Sequence, residues 1–244
     1  SQIDNMTVVG STLYFTAYNP AYGVELWKTD GTEKNTVIVA DINPGDNYAN
    51  PADLTNVNGT LFFSADDGIH GRELWATDGT AGNTRMVMDI DASAETGSDP
   101  GNFLAVGSEL YFTATIRAVG TELWKSDGTE IGTELVRDLY TGRYSSKPQN
   151  LTAANGQLFF TALTAKSVGY ELVRLDVSNP EAEPFVYDLY TGSYSSSPSE
   201  LTVSGDTLFF TANVGALGRE LYKIDLTDPK FPHTLVRDIA PLPY

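Results

Sequence analysis

Gly71-Arg72-Glu73-Leu74-Trp75-Ala76-Thr77-Asp78-Gly79-Thr80 recurs along this 244-residue chain. The same block stands at Gly23-Val24-Glu25-Leu26-Trp27-Lys28-Thr29-Asp30-Gly31-Thr32 and at Gly120-Thr121-Glu122-Leu123-Trp124-Lys125-Ser126-Asp127-Gly128-Thr129. Two shortened copies follow, Gly169-Tyr170-Glu171-Leu172-Val173 and Gly218-Arg219-Glu220-Leu221-Tyr222. Successive leading glycines are 48 or 49 residues apart. A fixed period of that length marks a propeller or a solenoid.

Outward from the block, each repeat holds four strand-like runs separated by turn signals. In the second repeat the first run is Asp53–Val57, and Asn58-Gly59, a strong hairpin signal, turns it. Thr60–Ala65 is aromatic and apolar, as a buried strand should be. Glu73–Thr77 is the third run, Asp78-Gly79 turns the chain again, and Arg85–Ile90 is the fourth. Helical spacing of apolar residues appears nowhere at length. Four-stranded sheets that are apolar on both faces must stack on one another. The expectation is all-β: a five-bladed β-propeller, one domain over 1–244, with contiguous blades near 1–48, 49–97, 98–146, 147–196 and 197–244. A parallel β-helix has a shorter coil period than this one. Closure would rest on side-chain packing between the last blade and the first, so the seam should be weaker than the other blade interfaces.

Composition narrows the function. The net charge of −17 repels phosphate backbones and anionic membrane surfaces, so nucleic acid is not expected as a partner. No apolar run approaches the ~20 residues of a spanning helix, so no membrane insertion is expected. Cysteine is absent, which excludes disulfides and thiolate metal sites. The chain begins with Ser1 rather than Met, which suggests a mature or excised form.

Glu-Leu-Trp-x-x-Asp-Gly-Thr, intact at Glu25–Thr32, Glu73–Thr80 and Glu122–Thr129, resembles the ELWxxDGT repeat family of bacterial extracellular and surface proteins. That resemblance implies a repeat fold and a secreted or cell-surface location. It supplies no catalytic residues. At the level of fold alone, the expected architecture is similar to five-bladed lectins of the tachylectin-2 type, which bind sugars.

The block itself is expected to be structural. Asp-Gly supplies a hairpin turn, Thr32, Thr80 and Thr129 bond across it, and the tryptophans fill space between blades. The five glutamates are expected to accept N–H bonds from adjoining loops. The connections between blades are the candidate binding loops: Asn47, Tyr48 and Asn50; Tyr140, Tyr144, Ser145 and Ser146; Tyr190, Tyr194, Ser195 and Ser196. Tyr, Ser and Asn combine rigid apolar area with adaptable hydrogen bonds, which suits a sugar ring. Near the axis, Asn5, Asp53, Asn102, Asn150 and Glu200 form a candidate polar ring for water, a cation or sugar hydroxyls. No cofactor is expected. Ca²⁺ is the weaker alternative, at Asp66-Asp67, at Asp89 with Asp91, or at Asp41 with Asn43 and Asp46.

The expected function is a non-enzymatic, multivalent carbohydrate-binding module with a glycan or other cell-surface ligand as its partner. The alternatives are a protein-interaction or adhesion scaffold, and a glycosidase using axial carboxylates such as Asp53 and Glu200. The two histidines, His70 and His233, lie in different repeats, and no nucleophile motif is present.

Overall fold

The computed structural model describes residues 3–93, 96–165, 168–180 and 182–239. It holds twenty strands in five antiparallel sheets, each built from four consecutive strands lying side by side in chain order. Sheet 1 is β1 (Ile3–Val9), β2 (Thr12–Asn19), β3 (Gly23–Thr29) and β4 (Val37–Ala40). Sheet 2 is β5 (Ala52–Val57), β6 (Thr60–Asp66), β7 (Arg72–Thr77) and β8 (Arg85–Met88). Sheet 3 is β9 (Gly101–Val106), β10 (Glu109–Ile116), β11 (Gly120–Ser126) and β12 (Glu134–Arg137). Sheet 4 is β13 (Gln149–Ala154), β14 (Gln157–Leu163), β15 (Tyr170–Asp176) and β16 (Phe185–Tyr187). Sheet 5 is β17 (Ser199–Ser204), β18 (Thr207–Asn213), β19 (Arg219–Asp225) and β20 (His233–Arg237). The chain divides into two compact units, Ser1–Leu135 and Val136–Tyr244.

Within the first unit, two apolar layers hold the sheets together. Tyr14, Leu26 and Val39 of sheet 1 meet Leu61, Phe63 and Trp75 of sheet 2. Phe62, Leu74 and Val87 of sheet 2 meet Leu110, Phe112 and Trp124 of sheet 3. In the second unit, Phe159, Leu172 and Tyr187 of sheet 4 meet Leu208, Phe210 and Tyr222 of sheet 5. Period-2 alternation sends successive side chains to opposite faces, so one strand serves two layers: Phe62 faces sheet 3 while Phe63 faces sheet 1. Burying one such ring contributes about 1.5–3 kcal/mol.

The block's polar residues act locally. Asp30 Oδ1 accepts from Thr32 N at 2.9 Å and Thr32 Oγ1 at 2.7 Å, while Oδ2 accepts from Asn35 Nδ2 at 2.6 Å. Asp78 repeats the pattern with Thr80 and Asn83. These bonds, from the Thr hydroxyl first, pull both exposed carboxyls down to about 2. A short 3₁₀ turn follows each, Glu33–Asn35 and Ala81–Asn83, which the sequence reading did not anticipate. Long cations staple sheets within the first unit: Lys28 Nζ donates to Gly79 O at 2.7 Å and Arg85 to Gly128 O at 2.6 Å.

The fourth run was expected to reach Ile90, but β8 stops at Met88. The cause is a competing acceptor. Ile90 N donates to the buried carboxylate of Glu73, Oε2 at 3.2 Å, rather than continuing the ladder. Leu189 N does the same to Glu171 at 3.1 Å, and Ile239 N to Glu220 at 3.1 Å.

Candidate functional site

The connections between sheets are built around those glutamates. Glu25, Glu73, Glu122 and Glu171 are fully buried, and Glu220 nearly so. Glu73 accepts from Ser98 N at 2.7 Å and Ser98 Oγ at 2.6 Å; Glu171 accepts from Ser196 N at 2.7 Å and from the Ser196 hydroxyl. One carboxylate therefore grips a connection at both ends, just past the fourth strand and just before the next sheet. Burial raises the pKa of Glu73 and Glu171, and the serine and backbone donors oppose the rise.

The leading glycine has a packing reason. A Cβ on Gly71 would lie 2.3 Å from the Thr96 carbonyl carbon, and one on Gly169 2.2 Å from Tyr194 O. These two connections cross directly over the start of the third strand, so no side chain fits there. A parallel bridge between Arg72 and Gly97 fixes the crossing in sheet 2.

Two connections of the second unit expose the same aromatic device. Tyr140 and Tyr144 stack with centroids 4.8 Å apart and planes at 17°; Tyr190 and Tyr194 stack at 4.7 Å and 15°. The outer rings, Tyr144 and Tyr194, are each 62% exposed. Gly142 N donates to Asp138 Oδ2 at 3.0 Å and closes the first of these loops. Tyr48 in the first connection is also exposed, but it meets Tyr18 edge-on at 6.1 Å and offers no stacked pair.

The other expected ligand-binding residues separate into distinct roles. Ser146 and Ser196 are fully buried, and the Ser196 hydroxyl is committed to Glu171. This corrects their assignment as ligand contacts: solvent does not reach them. Ser195 Oγ accepts from Tyr170 N at 2.9 Å, which ties down the base of its loop, and Ser145 is half-buried and bonded as well. Asn47 donates to Pro44 O at 2.8 Å, and Asn50 N donates to Val24 O at 3.1 Å.

The polar ring has a backbone explanation that sequence reasoning missed. Asn5, Asp53, Asn102, Asn150 and Glu200 all have positive φ, between 54° and 58°. Each sits where the register between first and second strands slips, as between Asp4↔Thr16 and Thr7↔Tyr14. These are β-bulges with a left-handed residue, a position that Asn and Asp tolerate best after glycine. The free amides then bond nearby: Asn5 to Pro51 O at 3.1 Å, Asn102 to Thr113 Oγ1 at 3.1 Å, Asn150 to Pro198 O at 3.4 Å. Solvent reaches Asp53, yet surrounding protein desolvates its carboxyl and raises the pKa; Arg72 opposes this and Asp99 adds to it. Five repeated Asn or acidic residues inside first strands were the available signal for a bulge.

The candidate calcium ligands are largely taken up by the protein. Asp66 accepts from Gly68 N, Asp67 binds His70 at 2.7 Å, and Asp91 accepts from Ser93 and from Arg117 N. The Asp67 bond raises the His70 pKa. Among the described residues, no group of three or more His, Asp or Glu side chains could hold a metal ion.

No protein-family model and no curated protein matches the chain. Solved structures do share its fold. Prolyl oligopeptidase B from Galerina marginata, as apo protein, matches at 16% identity and a TM-score of 0.58, covering 93% of this chain and 32% of that one. A point mutant of the same enzyme bound to a 35mer hydrolysis and macrocyclization substrate matches at 14% identity and 0.58, covering 96% and 33%. A puromycin-hydrolyzing peptidase from Mycobacterium tuberculosis matches at 13% identity and 0.56, covering 97% and 39%. The chain thus spans between 32% and 39% of these three chains. These matches correct the expectation that the protein stands apart from enzymes, because these solved chains that share its fold are peptidases.

Proposed function

We propose that the five sheets close as a five-bladed β-propeller and that the molecule is a secreted or cell-surface recognition protein. It binds saccharide through the connections that carry Tyr140/Tyr144 and Tyr190/Tyr194. The observation that carries this reading is the repeated stacked pair with its outer ring turned to solvent. An exposed tyrosine face takes the C–H face of a pyranose, and loop hydroxyls and carbonyls take its polar rim. The inner ring holds the outer one in place, so little side-chain entropy is lost on binding. Two copies of one loop favour a multivalent ligand, for which weak single contacts add to useful avidity.

A glycan array tests this. The wild type is expected to bind a subset of glycans, and the Tyr144→Ala/Tyr194→Ala protein to lose that binding with an unchanged melting curve. An array on which the wild type is silent would refute it. The peptidase matches favour a second reading, in which the chain is the substrate-recognition part of a larger peptidase. Binding of oligopeptides in place of glycans, lost in the same double variant, would select that reading.

A further inference from the structure

Between sheets 1 and 2 of the first unit lies a cleft of about 320 Å³, lined among others by Asp4, Asn5, Val24, Asn50, Ala52 and Arg72. Its volume is at the lower end for small-ligand sites, ~300–1,000 Å³. Arg72 is fixed before any ligand arrives. One terminal nitrogen donates to Ser64 Oγ at 3.0 Å and the other to Asn50 O at 2.9 Å. Both acceptors are neutral, and they leave further N–H groups of the planar fork in place. Asn5 spends its amide nitrogen on Pro51 O, which leaves its carbonyl oxygen as an acceptor. Asp4 adds an exposed carboxylate, while Val24 and Ala52 supply apolar wall.

One cation, one anion and mixed amide groups suit a neutral ligand whose groups both donate and accept, which is what adjacent hydroxyls do. The second unit repeats the frame. Asn150 donates to Pro198 O at 3.4 Å and Arg219 to Ser197 O at 3.1 Å. There, however, half-buried Tyr170 stands where sheet 1 has the small Val24. We propose that the sheet 1–sheet 2 cleft is a second saccharide site, sized for one neutral pyranose and held open by the small side chain of Val24. This rests on the saccharide reading but not on the tyrosine loops.

The test is ligand-observed NMR with a panel of neutral methyl hexopyranosides, run on the Tyr144→Ala/Tyr194→Ala protein. Saturation transfer should persist in that background. It should fall about tenfold or more in affinity, ~1.4 kcal/mol, when Val24→Tyr fills the cleft with the residue sheet 4 already carries there. If Val24→Tyr compromises folding, Asp4→Ala at its exposed position should weaken binding several-fold while the melting curve holds. No signal in the double tyrosine background, or a signal that neither substitution changes, would overturn the cleft. A double variant that matches the wild type on the array overturns the tyrosine loops instead, so the two failures are distinguishable.

Discussion

At the residue scale, Glu25 is the informative exception. Its partners in sheets 2 and 4 each receive a serine hydroxyl, from Ser98 and Ser196, but the corresponding residue after sheet 1 is Ala49. Glu25 Oε1 accepts from Asn43 N at 3.0 Å, while Oε2 is buried and has no hydrogen-bond partner. Burial, only partly offset by backbone N–H groups of the connection, pushes its pKa up to about 7 from 4.5. The folded state therefore binds this proton more tightly than the unfolded state. The stability it confers is complete below about pH 4.5 and is lost as pH rises through about 7. Ala49→Ser restores the missing donor. It should raise stability at mildly alkaline pH by about 1–2 kcal/mol and flatten the decline across that window, read as denaturant midpoints over a pH series. A pH profile that stays parallel to the wild type would show that the hydroxyl does not reach Glu25. The sequence pointed to glutamates that grip loops, but the odd one out becomes visible only once Ala49 is seen to occupy the serine's place.

At the element scale, the Asp-Gly-Thr hairpins and the aromatic second strands were legible because local chemistry specifies them. Asp-Gly permits the turn, and Phe62-Phe63 or Phe159-Phe160 can satisfy only a strand buried on both faces. The first strands were read less well. Positive φ at a bulge accounts for the Asn and Asp residues there, and that backbone geometry is not visible in composition. Glu200, at φ 57°, is the one residue of the five that the left-handed region does not favour. Glu200→Asn should raise the melting midpoint, with a gain of up to about 1 kcal/mol from relieved backbone strain. An unchanged or lower midpoint would mean that the glutamate side chain has a contact worth more than the strain. The stacked tyrosines belong to this scale too. Their repeated spacing was visible in the sequence, but the stacking was not, because it depends on the path of the loop between the two rings.

At the scale of the whole molecule, the 48- and 49-residue period gave the number of sheets and their four-strand content. Each sheet is contiguous, so ring closure in the proposed propeller has no exchanged strand to secure it. Among the fourth strands, side-chain cover is thinnest on β20. Val236 of β20 is 44% exposed, while its counterparts Val39, Val87 and Val136 are at 4%, 6% and 7%. A seam held there by packing alone would be the weakest joint of the ring. In the proposed function, what the repeat provides is the duplication of one loop. The most direct measurement is therefore a saccharide titration of protein labelled only in its tyrosine rings, using a glycan selected on the array. The account predicts that the ring resonances of Tyr140, Tyr144, Tyr190 and Tyr194 shift together with saturable dependence on ligand. Saturable binding during which none of these four resonances moves would contradict it.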